Sequence, residues 1–266
     1  MSDNPASSHD TADWFEQRGF DLRFGWGPNG LRRLAPGADS VVIVDVLSFS
    51  TAVDVALGRG AVVLPYRWHD GTEQAYAEAN DAELATRRPE PGRLSLRPSS
   101  LLEAPAGLRL VLPSPNGSAL TFAAADVGAT AVMVGSLRNA GAVGRAVAAK
   151  QGTVAVIAAG ERWRGVTGPL RPAIEDMLGA GAILAAIAAA ADPASPRLIS
   201  PEARTAMAAF NDAAPELSER LRECGSGREL IDKGFPLDVE LAAKHDASGV
   251  VPTLEGIELV DASASP

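Results

Sequence analysis

A polar segment at residues 45–51 carries the side chains best suited to chemistry in this sequence. It follows the apolar, β-branched run at residues 41–44 directly, which is typical of a strand buried on both faces. The segment supplies one carboxylate, Asp45, and three hydroxyl groups, at Ser48, Ser50 and Thr51. A charge just past a buried strand must be solvated, paired or bound to a metal. Hydroxyls before a helix, together with its first N–H groups, favour binding of a small anion, although the same residue types also cap helices for structural reasons alone.

A second loop, at residues 113–118, occupies the same position in a second unit of the chain. Gly117 allows a ligand to approach the backbone closely, and Asn116 and Ser118 offer hydrogen-bonding groups. A tight turn with Ser118 as helix cap is the structural alternative. Ser136 and Asn139 end a further strand and are weaker candidates of the same kind.

A pair of acids, Glu175 and Asp176, lies in the first turn of a predicted helix that begins near Pro172. The helix dipole favours acids there by about 0.3–1 kcal/mol even without a function. With Asp45, the pair would instead form an oxygen-only site for Mg²⁺. The preceding loop carries both signs of charge, at Glu161, Arg162, Arg164 and Arg171.

Composition narrows the classes of function. The formal net charge of −9 argues against a nucleic-acid partner and against a polybasic membrane surface. Cys224 is the only cysteine and the three histidines are scattered, so a hard ion held by carboxylates is favoured over zinc. We treat Cys224 as a structural thiol. With no signal peptide visible and a longest apolar run, residues 178–191, too short to cross a bilayer, we expect a cytoplasmic protein.

The order of elements predicts an α/β fold, with three α/β/α layers around a largely parallel or mixed sheet. Ser50 to Gly60 and Ser118 to Gly128 are both ten residues, so two similar β–loop–α–β units superpose without a gap. In such sheets, ligands bind where loops leave the carboxyl ends of the strands. Residues 1–12 and 262–266 are expected to be loose tails around a single domain, residues 13–261.

Other local patterns complete the predicted order of elements. We expect a turn at residues 27–30, a long loop at 159–170 and a buried helix at 178–191, which is also a candidate surface for a homodimer. Strands are predicted at residues 20–26, 61–65, 130–134 and 153–158, and helices at 52–57, 119–125, 172–191, 202–213, 215–223 and 226–233. Residues 250–252 and 257–260 are predicted to be short extended pieces.

Several common catalytic motifs are missing. The sequence has no Walker A motif, no G-x-S-x-G elbow and no G-x-G-x-x-G after a strand. The paired aspartates of haloacid-dehalogenase phosphatases do not fit either, because Leu47 stands two residues after Asp45.

Taken in order, the motifs between about residues 40 and 252 resemble the 2-phosphosulfolactate phosphatase family. That family's Asp-Val-Leu-Arg-Ala-Ser-Thr stretch is similar to residues 45–51, and its Thr-Asn-Gly-Thr loop to residues 115–118. Its Gly-Ser-x-x-Asn-Ala segment matches residues 135–140, its Ala-Gly strand end residues 159–160, and its Glu-Asp helix start residues 175–176. A late Ser-x-Gly-x-x-Leu segment resembles residues 226–230, followed by Gly234 and Asp238.

The resemblance implies an α/β/α enzyme that hydrolyses 2-phospho-3-sulfolactate to 3-sulfolactate and phosphate with Mg²⁺. One position departs from the pattern: Ser48 stands where the family often has Arg, and Phe49 where it has Ala. The missing arginine removes a bidentate clamp on phosphate or sulfonate. Its replacement would come from Arg138, Arg162, Arg164 or Arg171, or the substrate differs.

We therefore hypothesise that Asp45, Glu175 and Asp176 hold Mg²⁺, that a small phosphorylated acid is the substrate, and that an arginine such as Arg171 stabilises charge during transfer. The phosphate would lie against the donors of Ser48, Ser50, Thr51, Asn116, Gly117, Ser118, Ser136 and Asn139. Whether water or Asp45 attacks phosphorus stays open. Two alternatives remain: a non-catalytic small-anion binder on this fold, and an enzyme acting on a different phosphoester or carboxylic acid.

Overall fold

The computed structural model describes residues 12–67, 71–86, 92–163 and 168–264. Its strands are β1 (Leu22–Trp26), β2 (Ser40–Val44), β3 (Val62–Tyr66), β4 (Glu83–Leu84), β5 (Arg109–Pro113), β6 (Ala131–Gly135), β7 (Val154–Ala158), β8 (Glu161–Arg162), β9 (Leu170–Arg171), β10 (Pro252–Glu255) and β11 (Glu258–Asp261). Its helices are α1 (Ala12–Phe15), α2 (Gly27–Leu34), α3 (Phe49–Gly58), α4 (Glu73–Ala79), α5 (Gly117–Ala124), α6 (Ala140–Lys150), α7 (Ile174–Ala190), α8 (Pro201–Ala213), α9 (Leu217–Glu223), α10 (Gly225–Asp232) and α11 (Pro236–Ala242).

The main sheet has the strand order β1-β7-β2-β6-β10-β11-β3-β5-β4. Strands β1, β7, β2 and β6 form one parallel group, and β3, β5 and β4 form another. The antiparallel hairpin β10–β11 joins the two groups, pairing with β6 on one side and β3 on the other. The sheet is therefore mixed but mostly parallel, as the sequence predicts.

The two predicted β–loop–α–β units are present, and they exchange their last strands. The chain runs β2–α3–β3 in one unit and β5–α5–β6 in the other. However, β2 pairs with β6, with Ser40 opposite Ala131, whereas β5 pairs with β3, with Arg109 opposite Val62. The last strand of each unit thus pairs with the first strand of the other unit. This exchange brings the loops of the two units together.

Alternating side chains of β2 define the three layers. All five residues of this strand are buried, as expected for a β-branched run covered on both faces. Val42 and Val44 pack into an apolar cluster with α6, α7 and α8 on one face. Val41 and Ile43 pack with α2 and α5 on the other. The α/β/α architecture is confirmed.

Helix α7 is buried within the chain because it packs against both α6 and α8. Its apolar face, which the sequence offered as a surface for a homodimer, is therefore used by the fold itself. No helix among the described residues is long and apolar enough to cross a membrane.

Two local predictions are wrong. Residues 27–30 form the first turn of α2 instead of a closing turn, because Pro28 suits a helix N-terminus, where no intrahelical N–H bond is needed. The loop at residues 159–170 is not free of secondary structure, since β8 and β9 form a small antiparallel pair within and at the end of it. At the ends, α1 begins at Ala12, a short 3₁₀ turn covers Ala262–Ala264, and residues 1–11 and 265–266 lie outside the described residues.

Candidate active site

Asp45 lies where the loops of the two units meet. It leaves β2 with its side chain 5% exposed. Its carboxylate Oδ2 accepts a hydrogen bond of 2.7 Å from the N–H of Gly117, at the start of α5, and the carboxylate also accepts one from the N–H of Phe49, at the start of α3. Asp45 therefore occupies the N-terminal ends of two helices, where the positive end of each dipole favours a negative charge.

Gly117 permits this arrangement because it has no side chain. A Cβ at this position would lie 2.6 Å from the Cβ and Oδ2 of Asp45 and 2.6 Å from Cδ1 of Phe49. Such distances are well inside van der Waals contact. The glycine of the second loop is thus required by the close approach of the first loop.

Asp176, in the first turn of α7, connects two strand ends through its carboxylate. Oδ1 accepts the N–H of Val46 at 2.7 Å, and Oδ2 accepts the N–H of Gly160 at 2.8 Å. Gly160 has a positive φ of 66°, a conformation that favours glycine. Asp176 therefore fixes the loop after β2 and the loop after β7 relative to each other.

Glu175 is 1% exposed, and its Oε2 atom has no hydrogen-bond partner among the described residues. An unpaired buried carboxylate oxygen is costly and calls for a proton or a cation. The Cys224 thiol lies within hydrogen-bonding reach of this carboxylate. Burial, followed by the nearby charge of Glu175, raises the pKa of Cys224 to about 12, so the thiol stays protonated.

Four acids of this site influence one another. Burial and the neighbouring charge of Glu161 raise the pKa of Asp45 to about 7. Burial, then the charges of Asp45 and Glu175, raise the pKa of Asp176 well above its ordinary value. Burial also raises the pKa of Glu161, although a hydrogen bond with the side chain of Asn116 opposes this effect. In each case burial is the first cause, and the charges of the neighbouring acids add to it.

Arg171 is the cation that the structure brings to these acids. It lowers the pKa of Glu161 through its charge, donates to the Ser226 hydroxyl at 3.2 Å, and lies over the ring of Trp163. By contrast, Arg138 is held by buried Asp54 in a 2.6 Å ion pair. It is therefore not available as the replacement clamp, and Arg164 lies outside the described residues.

Most of the hydroxyl groups expected around a phosphate are fully buried and already bonded within the loops. Ser50 Oγ accepts the Asp45 N–H at 2.8 Å, and Thr51 Oγ1 donates to the Val46 carbonyl at 2.8 Å. The Ser118 hydroxyl bonds with Leu112 and Tyr66, and the Ser136 hydroxyl bonds with Asn139. The side-chain amide of Asn139 bonds in turn with the Val250 carbonyl. Here these groups hold the loops in shape, and contact with a phosphate would require these bonds to open.

Ser48 and Asn116 are placed differently from those hydroxyls. Ser48 is half-buried, and its hydroxyl has no hydrogen bond to any residue in the described part of the chain. The Asn116 side chain contacts Glu161 across the site. Ser48 is therefore the partly exposed member of the predicted phosphate-binding set, whereas Asn116 and Gly117 are buried and the Gly117 N–H is bonded to Asp45.

The donor atoms of the site suit Mg²⁺ in type but are not gathered around one point. All the candidate ligands are carboxylate oxygens, which Mg²⁺ prefers, and the unpartnered Oε2 of Glu175 is such a donor. Nevertheless, the described residues contain no group of three or more acidic, His or Cys side chains already arranged around a metal position. Both oxygens of Asp176 accept backbone N–H groups and the Asp45 carboxylate also accepts two, so Glu175 offers the oxygen that is free to bind a cation.

Sequence reasoning missed three members of this site as individual candidates. Glu161 directly follows the Ala-Gly strand end. Its position just beyond a buried strand is the same signal that identified Asp45 as a candidate. Cys224 lies between α9 and α10 and Ser226 lies in the first turn of α10, both far from the other site residues in sequence. No local pattern connects them with Glu175 or Arg171.

The fold and the site together define an α/β protein with carboxylates, helix N-termini and an arginine gathered at the ends of buried strands. Residues 31–256 match the model of the 2-phosphosulpholactate phosphatase family, and the chain belongs to that family. A protein of Deinococcus radiodurans named "Probable 2-phosphosulfolactate phosphatase" is 28% identical over 225 residues, covering 81% of this chain and 88% of that protein. The family indicated by the ordered motifs is thereby confirmed.

Proposed function

We propose that this protein hydrolyses the phosphate ester of a small 2-hydroxy acid with the help of Mg²⁺, and that 2-phospho-3-sulfolactate is the first candidate substrate. One observation carries the proposal. Beside the start of α5, three acids and one arginine lie close enough to interact: Asp45, Glu161, Glu175 and Arg171. The family and the name of the relative support the same chemistry.

In the proposed reaction, the oxygen of water forms a bond to phosphorus as the bond between phosphorus and the ester oxygen breaks. The departing alkoxide gains a proton, so the products are the 2-hydroxy acid and inorganic phosphate. Bound Mg²⁺ would supply charge neutralisation at the phosphate oxygens and activation of water. Asp45 and Glu175 would hold the ion, and Asp176 would position both by fixing their loops.

A cation is needed on electrostatic grounds. Two unit charges about 4 Å apart interact by about 4 kcal/mol at an effective dielectric constant of 20, and a phosphate dianion would face several carboxylates here. Burial is the main cause of the raised pKa of Asp45, about 7, and the charges of Glu161 and Glu175 add to it.

The remaining roles belong to groups that can reach a bound ester. Arg171 would stabilise charge on the transferring phosphoryl group, and its contacts with Ser226 and Trp163 hold the guanidinium in place. Ser48 and Asn116 would donate to phosphate oxygens. Glu161, with its raised pKa, would carry the proton that the leaving alkoxide needs.

The test is phosphate release from a panel containing 2-phospho-3-sulfolactate, 2-phospholactate and 2-phosphoglycerate, with Mg²⁺ or with EDTA. We expect release that requires Mg²⁺ and falls at least 100-fold in Asp45→Asn, with exposed Asp126→Asn as the matched control. Undiminished release in EDTA or in Asp45→Asn would overturn the assignment. Binding of Mg²⁺ and phosphate without turnover of any panel member would instead identify a non-catalytic anion binder.

A further inference from the structure

A cavity of about 280 Å³ lies between α2 and α5, next to the proposed active site. Its volume is close to the lower end of the range of ligand pockets, about 300–1,000 Å³. The lining residues include Leu31, Leu120 and Ala123 from the two helices, together with Asn116, Arg32 and Arg162. None of the proposed catalytic or metal-binding acids is among them.

Two features of this lining bear on what the cavity would bind. The wall is mainly apolar, and Leu31 and Leu120 are held rigidly because they also belong to the buried core of that layer. The charged groups in it are both cationic, Arg32 and Arg162, in a chain of net charge −9. An apolar wall with two guanidinium groups suits an organic anion that has a hydrocarbon portion.

The cavity adjoins the active site at two residues. Asn116 lines it and also hydrogen-bonds Glu161, and Arg162 lines it and is the next residue after Glu161. Ala159, also in the wall, directly precedes Gly160, whose N–H binds Asp176. A molecule whose phosphate lies at Asn116 can therefore extend into the cavity.

We infer that this cavity binds the non-phosphorylated end of the substrate, and that it favours a phosphorylated 2-hydroxy acid with an apolar group on its third carbon over 2-phospho-3-sulfolactate, the candidate that the family's name provides. The inference rests on the proposed phosphatase activity for the identity of the ester. The carboxylate of the substrate pairs with Arg162 and Arg32, and the apolar group lies on Leu31 and Leu120.

A sulfonate is a poor occupant of the apolar part of the wall. It is strongly hydrated, and an anion placed against leucine and alanine side chains loses that hydration without compensation. An apolar group of similar size gains by leaving water. Ser48, in place of the arginine common in the family's first loop, removes one further cation that a second anionic group would use.

The experiment compares kcat/KM for three esters that share the phosphate and carboxylate: 2-phospho-3-phenyllactate, 2-phospho-3-sulfolactate and 2-phospholactate. We expect the phenyl compound to exceed both others by at least tenfold, the size of effect that burial of one apolar group produces. An equal or higher value for the sulfonate compound would overturn the inference while leaving the proposed phosphatase activity intact.

Matched pairs of variants locate the effect in the cavity. Ala123→Leu narrows the cavity and should lower kcat/KM for the phenyl compound at least fivefold more than it lowers that for 2-phospholactate. Ala125→Leu, an exposed change outside the lining, should alter neither. Arg32→Gln should raise KM for all three acids severalfold, whereas Arg33→Gln, exposed on the same helix, should not. No difference within either pair would also overturn the inference.

Binding of 3-phenyllactate, measured by calorimetry on the wild type and on Ala123→Leu, separates the two proposals. If none of the three esters is hydrolysed, the proposed function fails. Binding that weakens in Ala123→Leu would then still support the cavity as a site for apolar acids. Absence of binding together with absence of turnover would overturn both.

Discussion

The carboxylate of Asp45 and the backbone N–H of Gly117 are joined by a 2.7 Å hydrogen bond across 72 residues of sequence. The bond connects the end of β2 to the start of α5. It exists because the two β–loop–α–β units exchange strands, which brings their loops together. The acid that the first unit contributes is thus placed by the backbone of the second.

Replacement of Gly117 by Ala should damage the site more than the fold. The new Cβ would lie 2.6 Å from Asp45 Oδ2 and force the carboxylate away from the N–H group. We expect kcat/KM to fall about 100-fold or more, as displacement of a catalytic group by about 1 Å commonly does. Steady-state kinetics and thermal unfolding of the same preparation measure the two effects.

Gly58→Ala is the matched control for that variant. Gly58 ends α3, and a Cβ there meets only Val250 Cγ2, at 3.6 Å, which is an ordinary contact. We expect unchanged kcat/KM and an equal or slightly higher melting temperature. Equal activity of Gly117→Ala and Gly58→Ala would show that the Asp45–Gly117 contact has no part in catalysis.

Much of the fold follows from local patterns in the sequence. The β-branched run before Asp45 indicates a buried parallel strand, and the ten-residue spacing from Ser50 to Gly60 and from Ser118 to Gly128 reveals the repeat. The exchange of β3 and β6 could not be predicted, because strand pairing depends on tertiary contacts that leave no local signal. For the same reason, the central position of β10 and β11 is not evident from two short extended pieces near the C-terminus.

The candidate site, like the fold, could be predicted only in part from the sequence. The spacing of residues places Asp45 and Glu175 at strand and helix ends, but it does not distinguish a hydroxyl that faces a ligand from one that bonds its own loop. Ser50 and Ser118 have the residue type and position of anion donors, yet both are fully buried and bonded internally. That outcome depends on where the carbonyl and N–H groups of other segments come to lie.

The metal-free protein should lose stability as pH rises from about 4 to about 7. The pKa of Asp45 is 3.8 as its ordinary value and about 7 in the fold, so the folded state binds this proton more tightly than the unfolded state. The bound proton therefore contributes its full stabilisation below pH 3.8, and this stabilisation is lost as the pH rises through about 7. The loss is about 4 kcal/mol at most, because each pKa unit corresponds to about 1.4 kcal/mol.

Denaturant unfolding in EDTA at several pH values measures this slope. Asp45→Asn should flatten it, whereas Asp126→Asn, an exposed change, should leave it as in the wild type. Mg²⁺ should also flatten the slope, if it binds the deprotonated carboxylates as proposed. Stability that increases over this pH range in EDTA, with no response to Asp45→Asn, would contradict a raised pKa for Asp45.

Glu175→Gln should weaken the binding of Mg²⁺ while leaving the protein folded. The change removes a buried negative charge whose Oε2 has no partner, so the metal-free protein should become equally or more stable. The affinity for Mg²⁺ should fall at least tenfold, because one of two proposed carboxylate ligands is lost. Calorimetric titration with Mg²⁺ measures the affinity without any need for turnover.

Glu202→Gln, in the first turn of α8, is the control for Glu175→Gln, since it changes an exposed acid at an equivalent place in a helix. It should bind Mg²⁺ as the wild type does. Wild-type Mg²⁺ affinity in Glu175→Gln would remove this residue from the proposed metal site, whatever its effect on activity.

Arg97→Gln should lower stability without changing the chemistry. Asp238 is fully buried and accepts two hydrogen bonds, from Arg97 Nε at 2.8 Å and from the Ser99 N–H at 2.7 Å. Arg97 also lies over the ring of Phe235, at 4.0 Å from its centroid. Loss of the guanidinium leaves a buried carboxylate with one donor and costs about 2 kcal/mol, below the 3–5 kcal/mol of a fully buried pair because Arg97 is partly exposed.

The control for Arg97→Gln is Arg220→Gln, which breaks an exposed ion pair with Glu216. That pair should contribute no more than about 0.5 kcal/mol. Denaturant unfolding at pH 7 should therefore separate the two variants, while kcat/KM at 25 °C stays within about twofold of the wild type in both. Asp238 belongs to the late segment of the family's motif, so a large loss of kcat/KM in well-folded Arg97→Gln would show that this segment acts in catalysis and not only in holding α11 to the preceding chain.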